Sequence, residues 1–160
     1  MTVVVGDSYG GGIVAYIDDT GIHGLIAATD DQSTGIVWIT GGTTQNTANG
    51  NTSTALGTGQ ANTTAMMAQN GYTGGAAQVC ADYTITVDEV TYSDWYLPSK
   101  DELNKLYENK TTIGGFADHP YWSSSEADAN HAWRQNFTSG GQDYDGKPSN
   151  DPRVRAVRAF

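Results

Sequence analysis

Apolar positions in the first third of the chain come in short, nearly unbroken runs. Gly12–Ile17 reads Gly-Ile-Val-Ala-Tyr-Ile, Gly24–Ala28 reads Gly-Leu-Ile-Ala-Ala, and Gly35–Ile39 reads Gly-Ile-Val-Trp-Ile. Runs of this length, bounded by turn residues, predict strands buried on both faces. Asp18-Asp19-Thr20-Gly21 supplies the first turn. Gly41–Thr54 is full of Gly, Asn and Thr, has no period and exceeds the usual connection length, so it predicts a loop. Asn62 is the expected N-cap of a helix from Thr63 to Asn70, stopped by Gly71. Ala76, Val79, Cys80 and Tyr83 recur at helical spacing. Between Tyr83 and Tyr92 the pattern switches to period two, which predicts an arm of a hairpin.

The sharpest local signal is Ser99-Lys100-Asp101-Glu102. Ser99 followed three residues later by Glu102 is a capping box, and Leu103, Leu106 and Tyr107 then form one apolar stripe. A helix from about Lys100 to Glu108 follows. Gly114-Gly115 breaks the pattern, and the last third carries strand pieces at Tyr121–Ser125, His131–Phe137 and Arg153–Phe160 between Gly- and Asp-rich loops. The whole predicts one α+β domain over residues 1–160, with two or three short helices and long loops.

Charge changes this picture more than length does. The net charge is −10, which argues against nucleic acid as a partner. Residues 1–81 hold five acids and no Lys or Arg, while all eight basic residues fall between Lys100 and Arg158. Gln32–Ala81 has no charged side chain, yet Trp38, Ile39, Met66, Met67 and Tyr72 mark it as ordered rather than disordered. A neutral hydroxyl and amide surface suits a sugar or a subunit contact, since neither then desolvates a charge. A homotrimer built on this segment is therefore expected, with Trp38, Met66, Met67 and Tyr72 as its apolar part. No apolar run reaches the length of a membrane span, and no basic-then-apolar leader opens the chain, so neither membrane insertion nor a signal peptide is expected. Cys80 is the single cysteine, which leaves no internal disulfide and no cysteine cage for zinc; its helical position predicts a core residue.

Catalytic chemistry finds little support. Ser123-Ser124-Ser125 lies near Asp118 and His119, but the chain has no Gly-x-Ser-x-Gly elbow, and the serines read as a buried strand. Gly10-Gly11-Gly12 precedes a strand rather than a helix, so a phosphate cradle lacks its context. Calcium takes roughly six to eight oxygens, and Asp143, Asp145 and Asp151 place carboxylates at close spacing. That makes calcium a candidate, although no EF-hand pattern is present; otherwise no cofactor is expected. For recognition, the loop Gly140–Asn150 with Trp133 and Arg134 is the expected contact set: Trp133, Arg134, Gln142, Asp143, Tyr144, Asp145 and Lys147. Tyr144, in polar company, combines a flat face with a hydrogen-bonding tip.

Four ordered motifs carry a family resemblance. They are Asp94-Trp95-Tyr96-Leu97-Pro98-Ser99-Lys100-Asp101-Glu102-Leu103, Tyr121-Trp122-Ser123-Ser124-Ser125-Glu126, Ala132-Trp133 leading to Asn136-Phe137, and Arg153–Phe160. Upstream, Gly10–Val14, His23-Gly24-Leu25 and Gly57–Thr63 match as well. Together they resemble the C-terminal domain of Lcl-type collagen-like adhesins of bacteria, a domain also found in other surface and phage-associated proteins. The resemblance implies a C-type-lectin-like fold, similar to formylglycine-generating enzymes and to retroelement-diversified variable proteins, with paired N- and C-terminal strands. It implies a non-enzymatic adhesion domain, extracellular, at the tip of a cell-surface or virion fibre, trimeric and bound to a glycan or polymer. The alternatives are a trimerisation cap without a ligand and a scaffold for a diversified protein-binding face. The adhesin member is associated with sulfated glycosaminoglycans. Here the net charge repels polyanions, so such binding requires a local patch from Arg134, Lys147, Arg153, Arg155 and Arg158.

Overall fold

A computed structural model describes residues 2–160. Two antiparallel sheets and four short helices make an α+β fold. The first sheet has the order β1 (Ser8–Tyr9), β2 (Gly12–Ile17), β3 (Gly24–Ala27), β11 (Val157–Ala159). The second has the order β10 (Gln142–Gly146), β9 (His131–Asn136), β8 (Pro120–Glu126). Two small ribbons complete the strands: β4 (Ile39–Thr40) with β5 (Gly74–Gly75), and β6 (Ile85–Val87) with β7 (Val90–Tyr92).

The chain ends do meet in one sheet, but not by the pairing that the sequence suggests. β3 lies between them: it pairs Ile26 with Val14 of β2 on one side and with Arg158 of β11 on the other. The reason is local. Asp18 Oδ1 accepts the Thr20 amide at 3.0 Å and closes a tight turn, so β2 folds straight back onto β3 and its inner edge is filled. β11 takes the far edge of β3, and its own outer side is bridged at Val157 by Tyr96.

The helices are α1 (Gly59–Met67), α2 (Ala76–Ala81), α3 (Lys100–Glu108) and α4 (Lys110–Ile113). α3 has the bounds and the capping box that its sequence predicts, with Ser99 Oγ accepting the Glu102 amide and Glu102 accepting the Ser99 amide. α1 begins earlier than expected, with its N-cap at Thr58 rather than Asn62. Asn62 is buried inside the helix and spends its capping chemistry on the neighbouring loop: Oδ1 accepts the Ser53 amide at 2.8 Å and Nδ2 donates to the Ser53 carbonyl at 2.7 Å. Of the predicted strand Gly35–Ile39, only Ile39 is in a strand; Ile36 and Trp38 instead meet Pro152 and Lys147 through single backbone bonds. Tyr83–Tyr92 contains both arms of its hairpin, turned at Asp88 and Glu89 with φ of 48° and 66°.

Three tryptophans, Trp38, Trp95 and Trp122, sit in one core cluster with Ile26, Met66 and Cys80; Tyr96, Leu103, Leu106, Tyr121 and Phe137 form the other. Trp38 and Met66 are therefore spent on the protein's own core and offer nothing to a partner subunit. Burial pushes the Cys80 thiol far up, so it stays protonated. The neutral loop Gly41–Thr54 is held by side chains from elsewhere. Asn49 and Gly50 amides donate to Glu126, the Glu126 amide donates to Thr52, and Ser125 Oγ donates to the Ser53 carbonyl. None of the helices is long and apolar enough to cross a membrane, among the described residues.

Candidate functional site

Six of the seven predicted contact residues, all but Lys147, lie on β9 and β10, but on opposite faces of that sheet. Gln142–Gly146 is an edge strand rather than a loop, paired in register with β9: Tyr144 opposite Trp133 and Asp143 opposite Arg134. Side chains on a strand alternate faces, so this register sorts the set into two groups.

One group is aromatic. Tyr144 is 55% exposed, and its ring meets Trp133 edge-on with centroids 5.6 Å apart and His131 at 5.3 Å. Cross-strand aromatic pairs of this kind stabilise a sheet and hold each other's rotamers. Lys100, the first residue of α3, places its ammonium 4.0 Å from the centre of the Trp133 ring. Behind this patch Gln135 is buried and donates to Asn104 of α3, which fixes the helix against the sheet. His131 Nδ1 lies 2.8 Å from Asp128, whose carboxyl is held below its usual range by the Asn130 amide and by His131. The outcome is an exposed tyrosine ring on a free sheet edge, with an indole and an imidazole against it and the Lys100 ammonium over the indole. Lys100 and His131 were not legible as members of the patch, because only the folded register and the α3 packing bring them there.

The other group is an ion-pair cluster. Arg134 donates to Asp143 at 3.1 Å and to Asp145 at 2.7 Å. These acids protect the open edge from pairing with another chain. They are also not a calcium site with Asp151, which lies elsewhere beside His119 at 3.2 Å. Among the described residues, no three acid, histidine or cysteine side chains gather as metal ligands. A guanidinium already occupies the two carboxylates that alternate on the strand, which corrects the calcium expectation.

Lys147 is a second correction. It is fully buried, with its ammonium 2.8 Å from Glu126 and 3.2 Å from the Thr47 carbonyl, so it cannot touch a surface ligand. The basic patch required for a sulfated polymer is not formed either. Arg153 and Arg155 both bind the shielded carboxylate of Asp31, at 3.1 Å and 2.8 Å, and Arg158 binds Asp94. With Arg134 and Lys147 paired as described, all five cations are engaged by acids. Ser123–Ser125 are buried, as the sequence predicts; Ser123 Oγ donates to the Trp133 carbonyl and Ser125 Oγ to Ser53, while His119 faces Asp151.

Comparison with known proteins bears on the whole chain rather than on this patch. No curated protein matches the sequence. A family model, that of the Lcl C-terminal domain, matches residues 27–158. The match runs from β3 to β11 and so takes in the capping box, the buried serine strand and the Trp133–Tyr144 sheet. With that span covered, the chain belongs to the family of Lcl C-terminal domains.

Proposed function

We propose that this is a non-enzymatic, C-type-lectin-like recognition domain of a surface adhesin or phage fibre, exposed outside the cell or virion, and that it contacts a glycan or polymer through the Tyr144–Trp133 patch. Family membership supports the surface role. The observation that carries the ligand class is the exposed Tyr144 ring, held in place by Trp133 and His131. Sugars offer apolar C–H faces to an aromatic ring and hydroxyls to its phenol, and a ring whose rotamer is already fixed loses little entropy on binding. His131 beside the ring, Lys100 over the Trp133 indole and Gln142 two residues before Tyr144 on β10 add donors and acceptors for hydroxyls. The ligand class is neutral or weakly anionic, since the basic side chains that a polysulfate needs are already paired. A glycan array probed with the domain tests this: binding to neutral glycans supports it, and binding restricted to heavily sulfated polymers contradicts it.

A second reading, a trimerisation cap, is favoured by one observation. The loop around Thr47–Leu56 is uncharged and largely exposed, so a subunit contact there desolvates no ion. We propose a homotrimer through that loop, tighter as salt screens the −10 carried by each copy. Light scattering over a salt and concentration series tests it; a mass near 17 kDa throughout excludes it.

A further inference from the structure

Away from the aromatic patch, a cavity of about 420 Å³ opens between the first sheet and the start of α1. Its walls are Tyr16 of β2, Phe160 beyond β11, and Leu56 and Gln60 at the α1 end; Tyr96 and Glu102 form its floor. Its volume falls within the range of small-molecule sites. None of the Tyr144 patch lines it.

Glu102 is the unusual member. One carboxylate oxygen, Oε1, accepts the Ser99 amide at 2.8 Å and the Gly59 amide at 3.0 Å, so it joins the N-termini of α3 and α1. A Cβ at Gly59 would collide with that oxygen, which is why the approach needs glycine. The second oxygen, Oε2, is buried and completes no hydrogen bond of ordinary geometry, with the Tyr96 phenol the side chain that couples to this carboxyl. A buried carboxylate oxygen left unpaired carries a large desolvation cost, and groups of this kind are rare in folded proteins. Burial holds Glu102 above the usual carboxylate range despite the amides on Oε1, and burial together with Glu102 pushes the Tyr96 phenol far up.

Two further acids, Asp18 and Asp94, border the cavity, and Asp94 is already paired with Arg158 at 2.6 Å. His23 also lines it, and there is no lysine or arginine among the lining residues. Three aromatic rings and three carboxyl groups around one small space are suited to an organic cation: the rings take its apolar body and attract its charge, and the acids take its N–H groups.

We propose that this cavity is a separate binding site for a compact primary ammonium, whose N–H groups satisfy the unpaired oxygen of Glu102. The probe is benzylamine, with benzyl alcohol as its uncharged counterpart, titrated into the isotopically labelled domain while amide shifts are followed. Benzylamine is expected to bind saturably, to shift resonances around Gly24, Gly57 and Phe160, and to bind at least about tenfold more tightly than benzyl alcohol. Glu102→Gln should reduce the affinity by about tenfold. Because Glu102 also caps α3, Leu56→Arg at the exposed cavity wall is the second variant; it should block benzylamine without lowering the melting temperature. Equal binding of amine and alcohol, no saturable binding, shifts confined to other surfaces, or unchanged binding to a folded Leu56→Arg variant would each overturn the proposal.

Discussion

Lys147 Nζ lies 2.8 Å from Glu126 Oε2, with the lysine fully buried and the glutamate side chain 8% exposed. The pair joins the end of β8 to the segment after β10, and its remaining bonds reach Thr47, Asn49 and Gly50 in the neutral loop. Trp38 adds its ring 5.3 Å from the ammonium. One ion pair thus fixes a loop whose own regular structure is a single 3-10 turn, Thr44–Asn46.

Removing one partner should be far worse than removing both. Lys147→Met leaves the Glu126 carboxylate shielded and unpaired, which costs about 3–5 kcal/mol. Glu126→Gln in the Lys147→Met background should recover part of that loss. Urea unfolding of the wild type and these two variants reads the difference directly; single and double variants of equal stability would show that the pair does not hold the loop.

The last eight residues should be indispensable. Arg155 binds Asp31 and the carbonyls of Ala28 and Gly115, and Val157 joins β3 to Tyr96. A chain ending at Pro152 should therefore show no cooperative melt by circular dichroism, whereas a frayed but still cooperative domain would contradict this packing.

Acid should weaken one contact in a defined direction. Arg158 holds the Asp94 carboxyl below its usual range. A depressed carboxylate contributes stability that is present above its unfolded pKa and lost as pH falls through the folded one. The stability gap between the wild type and Asp94→Asn should accordingly be constant near neutrality and close below about pH 4. The effect is small, because Asp94 is 59% exposed. A gap that widens in acid would have the wrong sign.

Calcium should do nothing measurable. Arg134 holds Asp143 and Asp145, and Asp151 is turned to His119. Melting curves with millimolar calcium and with chelator should superimpose; a rise that vanishes in Asp145→Asn would restore the ion site.

What the sequence revealed followed from how local each signal was. The α3 capping box is complete within four residues, and its bounds were legible to the residue. Trp95, Trp122 and the three serines announced burial by their company of apolar neighbours. The β10 strand did not: Gln-Asp-Tyr-Asp-Gly is polar on both faces, because an edge strand exposed to water has no apolar alternation to display. Asn62 looked like a cap because capping and loop bonding use the same amide chemistry. Lys147 gave no sign of burial, since its partners lie 21 and 100 residues away in the chain. The site was half legible. Tyr144 and Trp133 were found, but the period-two register that places Arg134, Asp143 and Asp145 on the opposite face requires knowing that residues 142–146 are a strand.

Tyr144 tests the central claim most directly. Its ring is more than half exposed and makes no hydrogen bond, so Tyr144→Ala should change the melting temperature little. Trp133→Ala should cost more, since that ring is half-buried between Tyr144 and Lys100. The strongest glycan from an array, titrated calorimetrically against wild type and Tyr144→Ala, should bind the variant about 1–3 kcal/mol more weakly at unchanged fold stability. Equal affinity for both proteins would place recognition on another surface and contradict the account.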